Sequence, residues 1–446
     1  MAGTAETDRI DVNALIDNSK LGPRQIIVTT VCLLAMIMEG YDTYSVSYVS
    51  PEISRLWGIP SSELGVLLSA VLAGAAVGYL VGGMLADRLG RRLLILAGTF
   101  SFGLLTLGST LATGPEGFAV MRFLTGIALG VAFPNIISLS VEYSPLRHRA
   151  LSVVVLYAGS GVGATISGFV AGKLAPEFGW KIVLYVGGGI PLLLAVLMLA
   201  MLPESIRFLA LREGNEARIR ALLSRITDIS HLGPSTTFFL KGERLTKLPV
   251  AELFTNGRAA ATLLIWLTLT MDGGVLVITA FWLPSLLVDA GQPQSLAIEI
   301  TTMMALGGTF SAPVIGLLMD RFGAYRVLVP MHAAGIILIV TVVLTISNPS
   351  LLLALLYGIA MNGGISGLQG LIASVYPTSI RGTGIGWAVA VGRVTGIAAP
   401  ILIGILREAG FPPTTNLYGG ALLIAVALTS LVALSRNPFG RPHHAA

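Results

Sequence analysis

The sequence has little charge, a single cysteine and no pattern typical of a metal or nucleotide site. Charged residues make up 11% of its 446 residues, whereas soluble domains carry about 25%. The lone Cys32 excludes an internal disulfide. The five histidines lack metal-ligand spacing, and no P-loop motif is present. The sequence therefore gives no support for an enzyme, an ATP-driven pump or a cofactor.

Long apolar runs, by contrast, recur along the whole chain, which is 54% hydrophobic with a mean hydropathy of +0.82. A helix needs about 20 apolar residues to cross a bilayer. We therefore predict an all-α integral membrane protein with twelve transmembrane helices in two six-helix bundles, 1–202 and 259–446, joined by a cytoplasmic linker at 203–258. The predicted spans are 25–47, 62–85, 93–112, 117–140, 150–173, 182–202, 259–283, 297–319, 327–346, 351–374, 384–406 and 417–434.

The net charge of +5 follows this topology and is not gathered into a nucleic-acid-binding surface. With alternate connections on opposite sides of the membrane, nearly all Lys and Arg residues fall on one side. The exceptions are Arg55, Lys173, Lys181 and Arg407 on the other side, and Arg122 and Arg393 within spans. The positive-inside rule then predicts cytoplasmic termini. We expect a multi-pass protein of a bacterial inner membrane that contacts lipid, binds no nucleic acid and acts as a monomer.

An internal repeat supports the division into two bundles. The motif Gly-x-x-x-Asp-Arg-x-Gly occurs in "GGMLADRLGRR" and again in "GLLMDRFGAYR", 233 residues later. Six spans per copy give both copies the same orientation, with a cleft between them. We predict that charge pairs at this motif stabilise one conformation over another. The predicted gating residues are Gly83, Asp87, Arg88, Gly90, Arg91, Asp320, Arg321, Arg381 and Glu142, the last in a cluster with Arg88, Arg147 and Arg149.

These motifs resemble the major facilitator superfamily. Within it, "EGYDT", "RFLTGIALGVAFPN", "EYSPLRHRA" and "YPTSIRGTGIGWAVAVGR" resemble the aromatic acid:proton symporters. That resemblance implies inward symport of an aromatic carboxylate with protons. It also implies roles in transport for seven residues: Glu39, Asp42, Asp87, Arg122, Asp320, Arg381 and Arg393. The chain departs from the family at Glu39 (usually Asp), Tyr325 (usually His) and Asp272 (usually neutral).

Two acids lie within the first predicted span. At 100° per residue, Glu39 and Asp42 share a helix face, and neighbouring carboxylates repel, which favours protonation of one of them. An ionised acid at this depth costs about 2.5–3.5 kcal/mol on translocon scales. We predict a proton-coupling pair with Asp42 as the main site; the alternative is a structural salt bridge to Arg122 or Arg393. Asp272 is either a third proton site or the partner of an arginine.

A carboxylate substrate calls for a cation, and Arg393 and Arg122 offer planar forks that match it. For Arg122 a structural pair with Asp42 is the alternative. Aromatic residues would stack on a ring substrate, and span amides would bind its hydroxyls, although Asn135 could instead join two helices. The predicted ring and hydroxyl contacts are Tyr41, Tyr44, Trp387, Asn135 and Gln369.

Three other functions compete with this prediction. A proton-coupled exporter of the superfamily usually has a Gly-Pro pair in span 5, and "YAGSGVGATISGFVAG" has no proline. A neutral-sugar porter gives no reason for Arg393, although a sugar acid or another organic anion would. A sensor without transport has no appended signalling domain here.

Overall fold

The computed structural model describes residues 9–212, 214–229, 232–233, 236–239, 250–376 and 380–440, without the side chains of Ala150, Ala373, Arg381 and Gly382. Twelve helices are long and apolar enough to cross a membrane, as predicted. Spans 1–6 are Pro23–Trp57, Ser61–Leu89, Arg91–Ser109, Pro115–Tyr143, Leu146–Phe178 and Lys181–Met201. Spans 7–12 are Ala259–Asp289, Gln294–Phe322, Ala324–Leu344, Leu351–Ile372, Thr383–Glu408 and Pro413–Arg436.

The two bundles are copies with a constant offset. Both ends of span 8 lie 233 residues after the ends of span 2. The turns that follow these spans also match, because Gly90 and Gly323 both have positive φ, at 86° and 90°. A residue with a Cβ is strained at such a φ. The glycine therefore lets the chain reverse its direction within one residue in both copies of the repeat.

Span 7 is irregular near its centre. It contains a π-helix at Ile278–Trp282 and continues to Asp289, beyond the predicted end at 283. Pro284 follows the π turn and has no N–H to donate back along the helix. Such single turns occur mostly at functional sites, and this one faces span 1.

Short elements lie outside the twelve spans. Strand β1 (Arg9–Asp11) pairs in parallel with β2 (Thr237–Phe239), an addition to the predicted all-α fold. Two of the short helices lie in the linker between the bundles. The remaining elements are helices Val12–Asp17, Ile206–Ala210 and Glu216–Leu223 and 3-10 turns Leu146–His148, Val250–Phe254 and Pro438–Gly440.

The bundles contact each other at the end opposite the repeated motif. There Ser69 Oγ donates to the Ile397 carbonyl at 2.9 Å, and a Cβ on Gly404 would overlap the Ser61 carbonyl. At the other end, here called the motif end, a Cβ on Gly83 or Gly316 would meet no atom of the described chain within 4 Å. From this difference in packing we infer that the cleft between the bundles is open at the motif end.

Candidate functional site

Arg393 lies in the cleft, on span 11. Its guanidinium carbon is 4.2 Å from the ring centroid of Tyr79, on span 2 of the other bundle. The side chain is half-buried, and it forms no ion pair within 4.0 Å among the described residues. A guanidinium held against a ring face keeps its fork free for an anion.

Glu39 lies across from Arg393, within electrostatic range of it. Its carboxylate accepts hydrogen bonds from Ser160 Oγ at 2.9 Å and Thr43 Oγ1 at 3.3 Å. Close packing of spans 1 and 5 places Glu39 here, because spans this close leave no room for a Cβ on Gly40, which would overlap the Ser160 carbonyl. Glycine at this point lets spans 1 and 5 touch, which brings the Ser160 hydroxyl to the acid.

Asp42 faces away from the cleft, into the N-terminal bundle. The side chains of Asp42 and Arg122 are 0% and 1% exposed. Arg122 grips both carboxylate oxygens, at 3.1 and 2.8 Å, and also the Asp42 carbonyl at 3.0 Å. Thr106 Oγ1 donates to the same carboxylate at 2.6 Å. Both carboxylate oxygens of Asp42 therefore have hydrogen-bond donors within the bundle.

Glu39 and Asp42 lie within electrostatic range of each other on one helix, as predicted, but they meet different partners. Three positions along a helix leave a rotation of about 60°, and here that angle separates the cleft from the bundle interior. Each acid has its own arginine: Asp42 is clamped by Arg122, whereas Glu39 faces Arg393 from the opposite bundle. The geometry therefore favours Glu39 over Asp42 as the acid that exchanges a proton. Arg122 is already paired with Asp42 inside the N-terminal bundle.

Aromatic rings surround the Arg393 site. Phe133 packs edge-on against Tyr79 and Tyr157, with centroids 5.8 and 5.9 Å apart. Tyr44 approaches Phe281 of the other bundle at 5.3 Å. Phe133 and Phe281 are buried, whereas Tyr157 is 46% exposed. Together the rings form an apolar wall beside one cation, which suits a flat organic anion.

Other predicted contacts are placed elsewhere. Tyr41 is 1% exposed and donates to the Val183 carbonyl at 2.9 Å, so it packs spans 1 and 6 together and is wrong as a ring contact. Trp387 stacks on Trp266 within its own bundle, at 6.3 Å. Asn135 donates to the Val131 carbonyl of its own helix at 2.7 Å, and Gln369 is exposed. Of the predicted polar contacts, Arg393 alone is shown against the ring wall.

Glu142 anchors a polar cluster at the motif end. It pairs with Arg91 and accepts from Ser205 Oγ, whereas Arg149 pairs with Asp17. The predicted cluster of Glu142 with Arg88, Arg147 and Arg149 is therefore wrong. Sequence separation hid this partner, because Ser205 follows span 6.

The acid at the start of span 3 is Glu204, and not Asp87. Glu204 Oε1 accepts from the backbone N–H groups of Arg91 and Arg92, at 3.0 and 3.1 Å. A carboxylate at a helix N-terminus satisfies free donors and the helix dipole. Asp87, one of the predicted gating residues, is exposed, and it makes no hydrogen bond or ion pair with the described part of the chain.

The other motif residues are also exposed at the open end. Arg88 is exposed and gives its carbonyl to Arg212, while Arg321 lies over the neighbouring Phe322 ring. Asp320 is exposed as well, and the Arg381 side chain is outside the described residues. No pair joins the two motif copies among the described side chains, as expected where this end is open.

We expect Gly404→Ala to weaken closure at the opposite end. Its Cβ overlaps the Ser61 carbonyl, a backbone atom that cannot rotate aside, and overpacking costs about 1–3 kcal/mol. The population should shift about 5- to 150-fold toward closure of the motif end. Spin labels at Leu89 and Phe322, which are 47% and 50% exposed, report the distance across that end. Native Cys32 is buried.

Gly83→Ala is the matched control, because no atom of the described chain lies within 4 Å of its Cβ. It should keep the wild-type distance distribution, whereas Gly404→Ala should add a population at shorter distance. An unchanged distribution in Gly404→Ala contradicts the assignment of the closed end.

Asp272 pairs with a histidine that sequence reasoning did not select. His332 Nε2 lies 3.3 Å from Asp272 Oδ2, and the side chains are 0% and 1% exposed. The expectation of an arginine partner for Asp272 is thus wrong. One signal was available: adding the repeat offset of 233 to Glu39 gives Asp272, an acid at the equivalent position of the second bundle.

Comparison with known proteins identifies the family. The model of the Major Facilitator Superfamily matches residues 32–400 and 265–446. The chain belongs to the Major Facilitator Superfamily. Its members' architecture of two six-helix bundles accounts for the repeat, and members of the family are transporters and not enzymes.

Several relatives of this superfamily member are similar over most of its length. It is 36% identical to a 4-hydroxybenzoate transporter of Pseudomonas aeruginosa, over 86% of this chain and 87% of that protein. It is 36% identical to a gallate transporter of Pseudomonas putida, over 90% of each chain. The crystal structure of a D-xylose-proton symporter superposes with a TM-score of 0.72 at 18% identity, covering 94% of this chain and 99% of that one, which shows the fold.

Proposed function

We propose that this protein carries an aromatic carboxylate into the cell together with protons. The observation that carries the proposal is Arg393: a cation in the cleft, stacked on Tyr79 and without an ion-pair partner among the described residues. A guanidinium binds a carboxylate through two parallel hydrogen bonds. The carboxylate of a bound substrate would thus be the ion-pair partner that Arg393 lacks among the described residues.

The aromatic wall supports a ring in the substrate. Tyr79 lies against Arg393, Phe133 and Tyr157 continue the ring contacts from it, and Tyr44 contacts Phe281 of the other bundle. Offset and edge-to-face ring pairs add about 0.5–1.5 kcal/mol each beyond the area they bury. The 4-hydroxybenzoate and gallate transporters are named for hydroxylated benzoates, which combine one ring with one carboxylate.

Glu39 couples the substrate to a proton in this proposal. Until a substrate binds, Arg393 can act on Glu39, which lies within its electrostatic range. A bound anion takes over the guanidinium and places a second negative charge nearby, so Glu39 gains affinity for a proton. By linkage, protonation of Glu39 raises the affinity for the anion equally. The anion and one proton then bind together without adding net charge.

The direction follows from charge. We place the motif end and both termini in the cytoplasm of a bacterial inner membrane, because basic residues concentrate there. A monovalent anion entering alone works against about 2.3 kcal/mol per 100 mV. One proton cancels that cost. Because both walls of the cleft come from one chain, a monomer suffices.

The experiment is uptake into proteoliposomes under an imposed pH gradient at zero potential, with 4-hydroxybenzoate, benzoate, cis,cis-muconate and glucuronate compared. Aromatic acids should accumulate, and the ringless acids should not. Each coupled proton multiplies the accumulation ratio about tenfold per pH unit. Glu39→Gln should therefore lose about tenfold per pH unit.

Glu63→Gln is the control. Glu63 lies in the first turn of span 2 at the opposite end, away from the cleft, and its removal should leave accumulation at the wild-type level. Wild-type gradient-driven accumulation of glucuronate with none of benzoate would overturn the proposed substrate class. Full accumulation in Glu39→Gln would overturn the role of Glu39.

A further inference from the structure

A buried acid and histidine occupy the interior of the C-terminal bundle. Asp272 lies on span 7 and His332 on span 9, and both residues are 0% exposed. The second ring nitrogen, His332 Nδ1, lies 2.8 Å from the Leu328 carbonyl. A carbonyl can only accept, so Nδ1 carries a proton.

This fixes the proton content of the pair. With Nδ1 protonated, a neutral imidazole presents a lone pair at Nε2 to Asp272 Oδ2, 3.3 Å away. Two acceptors repel unless a proton lies between them, either as imidazolium with carboxylate or as imidazole with carboxylic acid. In both forms the pair holds one exchangeable proton and is neutral overall. Losing it leaves one net negative charge buried, which is costly.

Among the described residues around the pair, none supplies a permanent counter-charge to replace that proton. Span 10 contributes the buried Tyr357, within electrostatic range of Asp272, and span 12 packs Leu423 against Gly274. Span 11 packs Gly392 against Gly273, and the next residue, Arg393, acts on Glu39 and the cleft tyrosines instead. Asp272 Oδ1 has no hydrogen-bond partner among the described residues.

The pair is connected through side-chain contacts to the π turn of span 7, which faces the other bundle. Tyr357 lies beside Thr279, within the π turn Ile278–Trp282 of span 7. The same turn carries Phe281, which packs on Tyr44 of span 1 in the other bundle. A rearrangement of that turn when the bundles rock would change the access of water to Asp272.

We propose that Asp272 and His332 form a second proton-binding site, so that two protons accompany each anion and transport moves one net positive charge inward. The inference rests on the proposed symport and extends it with a stoichiometry. Glu39 and Asp272 hold equivalent positions in the repeat, so each bundle carries one proton on its first span.

Asp272→Asn is the test variant, because its amide can donate to His332 Nε2 and keep the pair neutral without an exchangeable proton. At zero potential and a gradient of one pH unit, accumulation should be about 100-fold in wild type, about tenfold in Asp272→Asn or Glu39→Gln, and about onefold in the double variant. An inside-negative potential of about 100 mV should raise wild-type accumulation about 50-fold, which is 2.3 kcal/mol per charge, and leave Asp272→Asn unchanged.

Asp289→Asn is the control on the same helix; its side chain is 41% exposed at the opposite end, paired with Arg407, and it should keep the wild-type potential response. Binding of 4-hydroxybenzoate by purified Asp272→Asn shows that it is folded; if it binds none, Asp272→Glu, which keeps the titratable group, should restore the response. A wild-type response to potential in Asp272→Asn, or complete loss of gradient-driven accumulation in Glu39→Gln alone, overturns the second site. Absence of gradient-driven uptake in the wild type would instead overturn the proposed symport.

Discussion

Replacing Arg393 with glutamine should weaken binding of 4-hydroxybenzoate about thirtyfold or more. The guanidinium lies in the cleft with no ion-pair partner among the described side chains, so a bound carboxylate would be its main counter-charge. Removing one partner of a buried, hydrogen-bonded charge pair costs about 2–5 kcal/mol. Glutamine retains one donor but neither the charge nor the fork. Calorimetric titration of the purified protein in detergent measures the change.

Two controls separate charge from shape in that measurement. Arg407→Gln removes an arginine from the same helix at the opposite end, where it pairs with Asp289, and should bind as the wild type does. Arg393→Lys keeps the charge without the planar fork and should give an intermediate affinity. The neutral amide of the same ring should bind the wild type and Arg393→Gln equally. Unchanged affinity of Arg393→Gln for the acid contradicts a substrate contact.

The fold was predictable because its signals are local or periodic. Apolar length marks each span, and a fixed offset of 233 residues relates the copies. The predicted boundaries erred where capping and proline decide them, as at span 7, where Pro284 and a π turn extend the helix to Asp289. Strands β1 and β2 pair residues more than 220 positions apart, which no local pattern indicates.

The site was only partly predictable, because its partners come from different helices. Helical spacing placed Glu39 and Asp42 near one another but could not show which neighbours each would meet. The Asp42–Arg122 clamp was foreseen as an alternative, whereas the approach of Glu39 to Arg393 depends on how two bundles dock. Similarly, the contacts of Glu142 with Arg91 and Ser205 depend on how the linker folds against the N-terminal bundle.

His332 shows how a repeat can be used more fully. A single histidine within a span is compatible with many structural and functional roles, and so is a single acid such as Asp272. The offset maps Glu39 onto Asp272, Ser160 onto Arg393 and Thr99 onto His332. Each bundle thus has an acid on its first span, but the polar partners differ, and these differences distinguish a cleft acid from a buried pair.

The three span acids therefore have separate tasks in our proposal. Glu39 exchanges its proton in the cleft, Asp272 shares one with His332, and Asp42 forms the clamp with Arg122. Coupling requires the first two to gain and lose protons. The clamp has the opposite requirement, since a buried pair is useful only while both charges persist.

Breaking that clamp should have the largest effect on stability. Asp42→Asn leaves Arg122 as an uncompensated buried charge, and Arg122→Gln leaves Asp42 with Thr106 alone among its side-chain donors. Each single change should destabilise the folded protein by about 3–5 kcal/mol. Thermal unfolding in detergent should show a lower midpoint for both variants, with little folded protein recovered from Arg122→Gln.

The double variant Asp42→Asn/Arg122→Gln distinguishes a clamp from a proton carrier. It removes both charges and keeps two hydrogen-bonding side chains in contact, so it should recover most of the stability lost by either single change. Removing the partly exposed pair of Asp289 and Arg407 with Asp289→Asn should cost about 1 kcal/mol, less than breaking the buried clamp. If Asp42 served as a transported proton's carrier, the double variant would fold yet lose about tenfold accumulation per pH unit. The clamp instead predicts that the refolded double variant accumulates substrate with the wild-type dependence on the pH gradient.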